Sequence, residues 1–181
     1  DAHVHFFSPR FFATLAAQRG VSPAEALGLL GWDDPVSPEA LADRWVAELD
    51  AQGVARAALI ASVPGDEASV AAAVARHPLR LVGYFMLDPT AEDAAARVEA
   101  ALASGVRGVC LFPAMHYFTL GDERVLRIAA LLADHRPHQT AADTGVAAGG
   151  PVLFVHCGVL SVGARAKLGL PSPFDIRYGN P

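Results

Sequence analysis

The sequence predicts an α/β fold built on a parallel sheet, and three observations carry that prediction. Short apolar runs alternate with helix-period stretches along the chain. Most of those runs are apolar at odd and even positions alike, as buried parallel strands are. The 181 residues are 52% hydrophobic, enough for one sizeable core.

The first run, DAHVHFF, is read as a strand whose alternation puts Asp1, His3 and His5 on one face and Ala2, Val4 and Phe6 on the other. From Phe7 to about Gly53 runs a mostly helical insertion. Its clearest helix is SPEALADRWVAELDAQG, with Ser37 as cap, Pro38 at the first helical position and Gly53 as the stop. GVARAALIASVP then reads as strand, GDEASVAAAVARHP as helix and LRLVGYFMLDPT as strand. Thr90 with Asp93 is expected to open the helix AEDAAARVEAALAS as a capping-box variant. GVRGVCLFP is the fourth strand, GDERVLRIAALLADH a helix and PVLFVHCG the fifth strand.

Five strands leave two architectures open, an open doubly wound sheet and the first five units of a (β/α)8 barrel. The first strand is followed by Phe6, Phe7, Ser8 and Pro9 with no Gly-rich phosphate loop, which disfavours a dinucleotide fold. Fourteen Lys and Arg against 19 Asp and Glu give a net charge of −5 with no basic run. That balance argues against nucleic acid or a membrane surface and for a small-molecule substrate. Cys110 and Cys157 lie in apolar runs and are expected to be reduced and buried, which suits the cytoplasm. No apolar stretch is long enough to span a bilayer and no signal peptide opens the chain. Because Asp1 stands inside a core strand with no Met before it, the natural start is expected to lie upstream.

The chemistry concentrates in the histidines. Alternate residues on a strand have Cα atoms about 6.5 to 7 Å apart, a span two imidazoles can close around one ion. His156, near the C-terminal end of the fifth strand, supplies a third imidazole and leaves a coordination position open, the pattern of a catalytic site. Imidazole suits Zn, Fe, Ni or Cu alike. His77, His135 and His138 precede strands and are read as solvated loop residues. His116, in PAMHYFTLGD, follows the fourth strand and is a candidate substrate contact. Arg165, beside Lys167 in LSVGARAKLGLP, is a second, since a guanidinium can clamp a carboxylate.

DAHVHF, GVRGVCLFP and PVLFVHCG, in this order, resemble the amidohydrolase superfamily, in the branch related to aminocarboxymuconate semialdehyde decarboxylase. AELDAQGVARAALIA and LVGYFMLDPT resemble that family's second and third barrel strands. The resemblance implies a (β/α)8 TIM-type barrel of which residues 1–181 hold the first five βα units as one domain. It also implies a single divalent ion, zinc foremost, on His3, His5 and His156. The strand-four segment offers no lysine to bridge a second ion. The family's strand-six histidine and its strand-eight aspartate, the acid/base, would lie beyond Pro181, and Asp175 in its Pro- and Gly-rich connector is no substitute.

The expected activity is metal-dependent hydrolysis of an amide, ester or lactone, the ion acidifying water and polarising a carbonyl. The alternatives are non-oxidative decarboxylation of an unsaturated or aromatic acid, and a non-catalytic half-barrel that pairs with a second chain. A homo-oligomer is compatible with all three. Expressed alone, the chain is expected to aggregate or be molten, because its first and fifth strands would be open edges.

Overall fold

A computed structural model describes residues 3–135, 150–158 and 163–179; Asp1 and His138 lie outside them. Strand β1 (Val4–Phe6) is followed by three helices, α1 (Pro9–Arg19), α2 (Pro23–Leu30) and α3 (Pro38–Ala51). Then come β2 (Ala57–Ala61), α4 (Glu67–Arg76), β3 (Leu81–Leu87), α5 (Ala94–Ala103) and β4 (Gly108–Leu111). The chain continues through α6 (Pro113–His116), α7 (Glu123–Asp134), β5 (Val152–Val155) and α8 (Gly163–Lys167).

Each of the first three helices starts at a serine followed by proline. Ser8, Ser22 and Ser37 accept the backbone N–H three residues on, and Pro9, Pro23 and Pro38 lose nothing by lacking an amide there. Ser22 and Glu25 complete a reciprocal capping box. The box expected from Thr90 and Asp93 does not form. Asp88 Oδ1 takes both the Thr90 amide (2.9 Å) and its hydroxyl (2.7 Å), and α5 starts only at Ala94, without a side-chain cap.

All five strands are parallel in the order β1-β2-β3-β4-β5, so neighbours in the sheet are neighbours in the chain. A doubly wound sheet reverses its strand order midway; this one never does. Right-handed crossovers in an unreversed order put the connecting helices on one face, and α3, α4, α5 and α7 pack there, while α1, α2 and α8 cluster separately. Val70, Val98, Ile128 and Leu132 of the helices bury against Phe6, Leu59, Phe85 and Val109 of the sheet. Gly83 admits α4 to that face, since a Cβ there would stand 2.6 Å from Val70 Cγ1.

The opposite face is lined by the sheet's own side chains, Ile60, Met86, Cys110 and Phe112, with Tyr84 and Phe154 partly buried against them. Four strand spacings of a flat sheet would hold β1 and β5 about 19 Å apart. Yet the His3 ring lies 4.9 Å from that of Phe154 on β5. The sheet is therefore curled, with its first and last strands facing each other across the side opposite that core.

β5 is a half-exposed strand with Val152 43% exposed, since among the described residues no further strand pairs with it. One expectation for this region needs correction. Cys157, two residues past its end, is exposed rather than buried, because among the described residues neither a strand neighbour nor a helix covers the chain at that point. Cys110, central in β4, is buried, and burial pushes its thiol up to about 12. Among the described residues no helix is long and apolar enough to cross a membrane.

Candidate functional site

The site is built where β1, β2, β4 and β5 end. Alternation in β1 sends Val4 and Phe6 into the helix-packed core and leaves His3 and His5 on the opposite side. Their Nε2 atoms meet at 3.3 Å, with the rings edge to face.

Ser62, just past β2, fixes which nitrogen of His5 carries hydrogen. Its hydroxyl donates to the Ile60 carbonyl (3.0 Å), so the same Oγ accepts from His5 Nδ1–H, also at 3.0 Å. His5 Nε2 is thereby left with its lone pair, and His3 Nε2–H donates to it. Burial, then the neighbouring His3 and His156, lower the His5 pKa to about 4. The imidazole is neutral at physiological pH, the form that ligates.

His156 follows β5 and is stacked on Phe112 (4.9 Å between centroids, 20°), with Phe174 on a near-parallel plane at 6.4 Å. Its ring is 6.1 Å from that of His3. Its Nε2 is buried and has no hydrogen-bond partner among the described residues, and burial followed by His3 lowers its pKa. Desolvation without a partner is costly for a polar nitrogen.

These observations test whether the residues suit a metal ion. Two imidazole nitrogens about 2.0–2.1 Å from a tetrahedral zinc lie about 3.3–3.4 Å apart, which the His3–His5 pair matches. The orphaned Nε2 of His156 is a third donor with nothing to bind. His3 and His5 alone have the spacing of two ligands, and among the described residues no group of three His, Cys, Asp or Glu stands close enough to hold a metal ion.

His5 and His156 wall a cavity of about 390 Å³ together with Phe11, Met86, Phe112, Met115 and Phe174. Besides the histidines, Thr14, Gln18, Ser62 and Arg165 are the polar members of a largely apolar lining. His5 and Phe7 also border a second cavity of about 270 Å³, walled by Trp32, Arg44 and Trp45.

Of the two candidate substrate contacts, Arg165 lines the larger cavity and His116 does not. His116 ends α6 with Nδ1 buried and unpartnered, and burial lowers its pKa. His77 is held by Asp43, its Nε2 2.6 Å from Oδ1, and His135 Nδ1 lies 2.9 Å from the Leu131 carbonyl of its own helix. Ser62, Gln18 and Phe174 escaped the sequence reading. For Ser62 a signal existed, since it continues the Ala58–Ile60 face of β2 to the strand's C-terminal end.

No family model, curated protein or solved structure matches this chain.

Proposed function

We propose that this chain is the N-terminal part of a (β/α)8 barrel of the amidohydrolase type and takes part in metal-dependent hydrolysis of an amide, ester or lactone of a small organic substrate. One observation carries it: the imidazoles of His3 and His5 meet nitrogen to nitrogen, with the His5 ring held by Ser62, while the buried Nε2 of His156, just past the facing strand, has no partner among the described residues. The unreversed strand order and the curl of the sheet support the barrel.

His3, His5 and His156 would hold the ion, which when bound supplies Lewis-acid polarisation of a carbonyl and acidification of water. The protein does the rest. Ser62 keeps hydrogen on His5 Nδ1, and Phe112 and Phe174 fix the plane of His156. Met86, Met115 and Phe11 make the cavity apolar, so that charges within it interact strongly. No carboxylate is among the described residues lining the cavity, so the acid/base is assigned to the later strands that the family resemblance implies. A second reading, decarboxylation of an unsaturated or aromatic acid, is favoured by the cationic Arg165 in the same cavity.

The test is a zinc titration of the purified chain with a chromophoric competitor, followed by metal analysis. The expected result is about one ion per chain, with His5→Ala weakening binding more than about 100-fold, beyond what loss of an outer partner costs. Zinc binding unchanged in His5→Ala would overturn the proposal. One bound ion with no turnover of esters, amides or lactones by the full-length protein would leave a binding module in place of an enzyme.

A further inference from the structure

The helical insertion between β1 and β2 builds most of the smaller cavity, of about 270 Å³, and both tryptophans of the chain stand in its wall. His5 and Phe7 line this cavity and the one of about 390 Å³ alike. We infer that the ligand has two arms: a neutral aromatic arm seated among Phe7, Trp32 and Trp45, a second arm in the larger cavity, and between them an ester or amide bond that crosses His5. The inference rests on the reading of His5 as part of the substrate site, and it selects an open-chain ester or amide with an aryl arm over a lactone.

The sequence positions each wall of that seat. Gly31, with φ +68°, ends α2 in the left-handed conformation and lets the Trp32 amide turn back to the Leu27 carbonyl (3.2 Å). Trp32 is thereby laid on Phe7, with ring centroids 5.2 Å apart and planes at 30°, and Phe12 meets it edge to face at 5.9 Å. Leu41, Trp45 and Glu48 follow at helical spacing on α3, so one face of that helix lines the cavity. Phe7 in turn stacks on His5, 5.8 Å between centroids and 2° between planes. His5, Phe7 and Trp32 are thus one run of stacked rings, leading from the imidazole that meets His3 into the tryptophan-lined seat.

Aromatic walls suit an aromatic guest, which can stack on an indole or meet it edge to face. The charged side chains at this cavity, Asp33, Arg44 and Glu48, are all exposed and of both signs. Water and salt screen them, and no single sign prevails to draw in an ion. The arm seated there is therefore neutral. The larger cavity differs, holding Thr14, Gln18 and Ser62 among apolar side chains, so the arm that enters it can carry polar substituents. A compact lactone would fill one cavity and leave the other to water, whereas a chain jointed at its carbonyl fills both.

The experiment uses the chain's own tryptophans as reporters, since both lie at the smaller cavity. N-(4-nitrobenzyl)-3-phenylpropanamide, a two-arm probe whose nitroaryl ring quenches indole fluorescence, is titrated beside the one-arm N-(4-nitrobenzyl)acetamide, with a chelator present so that metal plays no part. The two-arm probe is expected to reach half-quenching at a concentration at least about tenfold lower, the worth of burying a second ring. N-methyl-3-phenylpropanamide, the other arm alone, is expected to compete with the two-arm probe and not with the one-arm probe. Equal midpoints for the two nitroaryl probes would overturn the inference, as would calorimetric binding of the two-arm probe without quenching. Competition of the lone arm against the one-arm probe would reveal a single seat and overturn it too. A two-arm preference in a chain that binds no zinc would sink the metal reading and leave the two-seat ligand standing, and zinc binding with equal midpoints would do the reverse.

Discussion

Ser62 carries one hydroxyl hydrogen and spends it on the Ile60 carbonyl, and that single choice sets the state of His5. Ser62→Ala removes the acceptor for Nδ1–H, freeing the ring to rotate or change tautomer. Zinc affinity is expected to fall about 10- to 100-fold, as when an outer partner of a ligating histidine is lost, while the thermal midpoint barely moves. Ser62→Thr should restore binding, and a competitive zinc titration on all three proteins decides the matter. At this scale the sequence was legible where a side chain's direction follows from alternation. Asp1 aside, the facing of His3 and His5 could be read from Val4 and Phe6 alone. What it did not disclose were neighbours set by the fold: the Phe112 stack behind His156 and the exposure of Cys157. Alternation gives a face, but only the covering elements decide whether that face is buried.

Helix α7 opens at Asp122, whose carboxylate accepts the Arg124 amide (2.9 Å) and pairs with the Arg124 guanidinium. The Arg124 side chain, then its amide, lower the Asp122 pKa from 3.8 to about 2. A carboxylate depressed by folding stabilises the folded state above its unfolded pKa, and that contribution is lost as pH falls through the folded value. Asp122→Ala is therefore expected to melt at a lower temperature than the unmodified chain at pH 7. The gap should narrow as pH drops from about 4 toward 2, and thermal melts across that range would expose a pH-independent gap if the argument fails. Helix starts were largely legible because serine-proline pairs are local devices: Ser37 and Pro38 announced α3. Thr90 misled because Asp88, two residues earlier, offered its hydroxyl and amide a closer acceptor. Such a competition is decided by loop geometry.

Across the whole molecule, β2, β3 and β4 are paired on both sides, while β1 and β5 are paired on one side among the described residues. Amides of Leu59–Ala61, Phe85–Leu87 and Val109–Leu111 are thus expected to exchange with deuterium far more slowly than those of Val4–Phe6 and Val152–Val155. Mass-spectrometric exchange reads this directly, and uniform protection across all five strands would contradict it. The βα alternation made the parallel sheet legible, but the order of its strands and its curl were not. Both depend on long-range packing, such as His3 against Phe154, which no local pattern encodes. That order also governs the time course of folding. Leu81 finds Ala57, and Gly108 finds Tyr84, by closing much shorter stretches of chain than those joining Leu59 to Val4 or Val152 to Gly108. Shorter loops close at lower entropic cost, so the middle of the sheet is expected to pair before its two outer strands dock. The imidazoles ride on those late arrivals, which makes the meeting of His3 with β5 one of the closing events of the folding reaction.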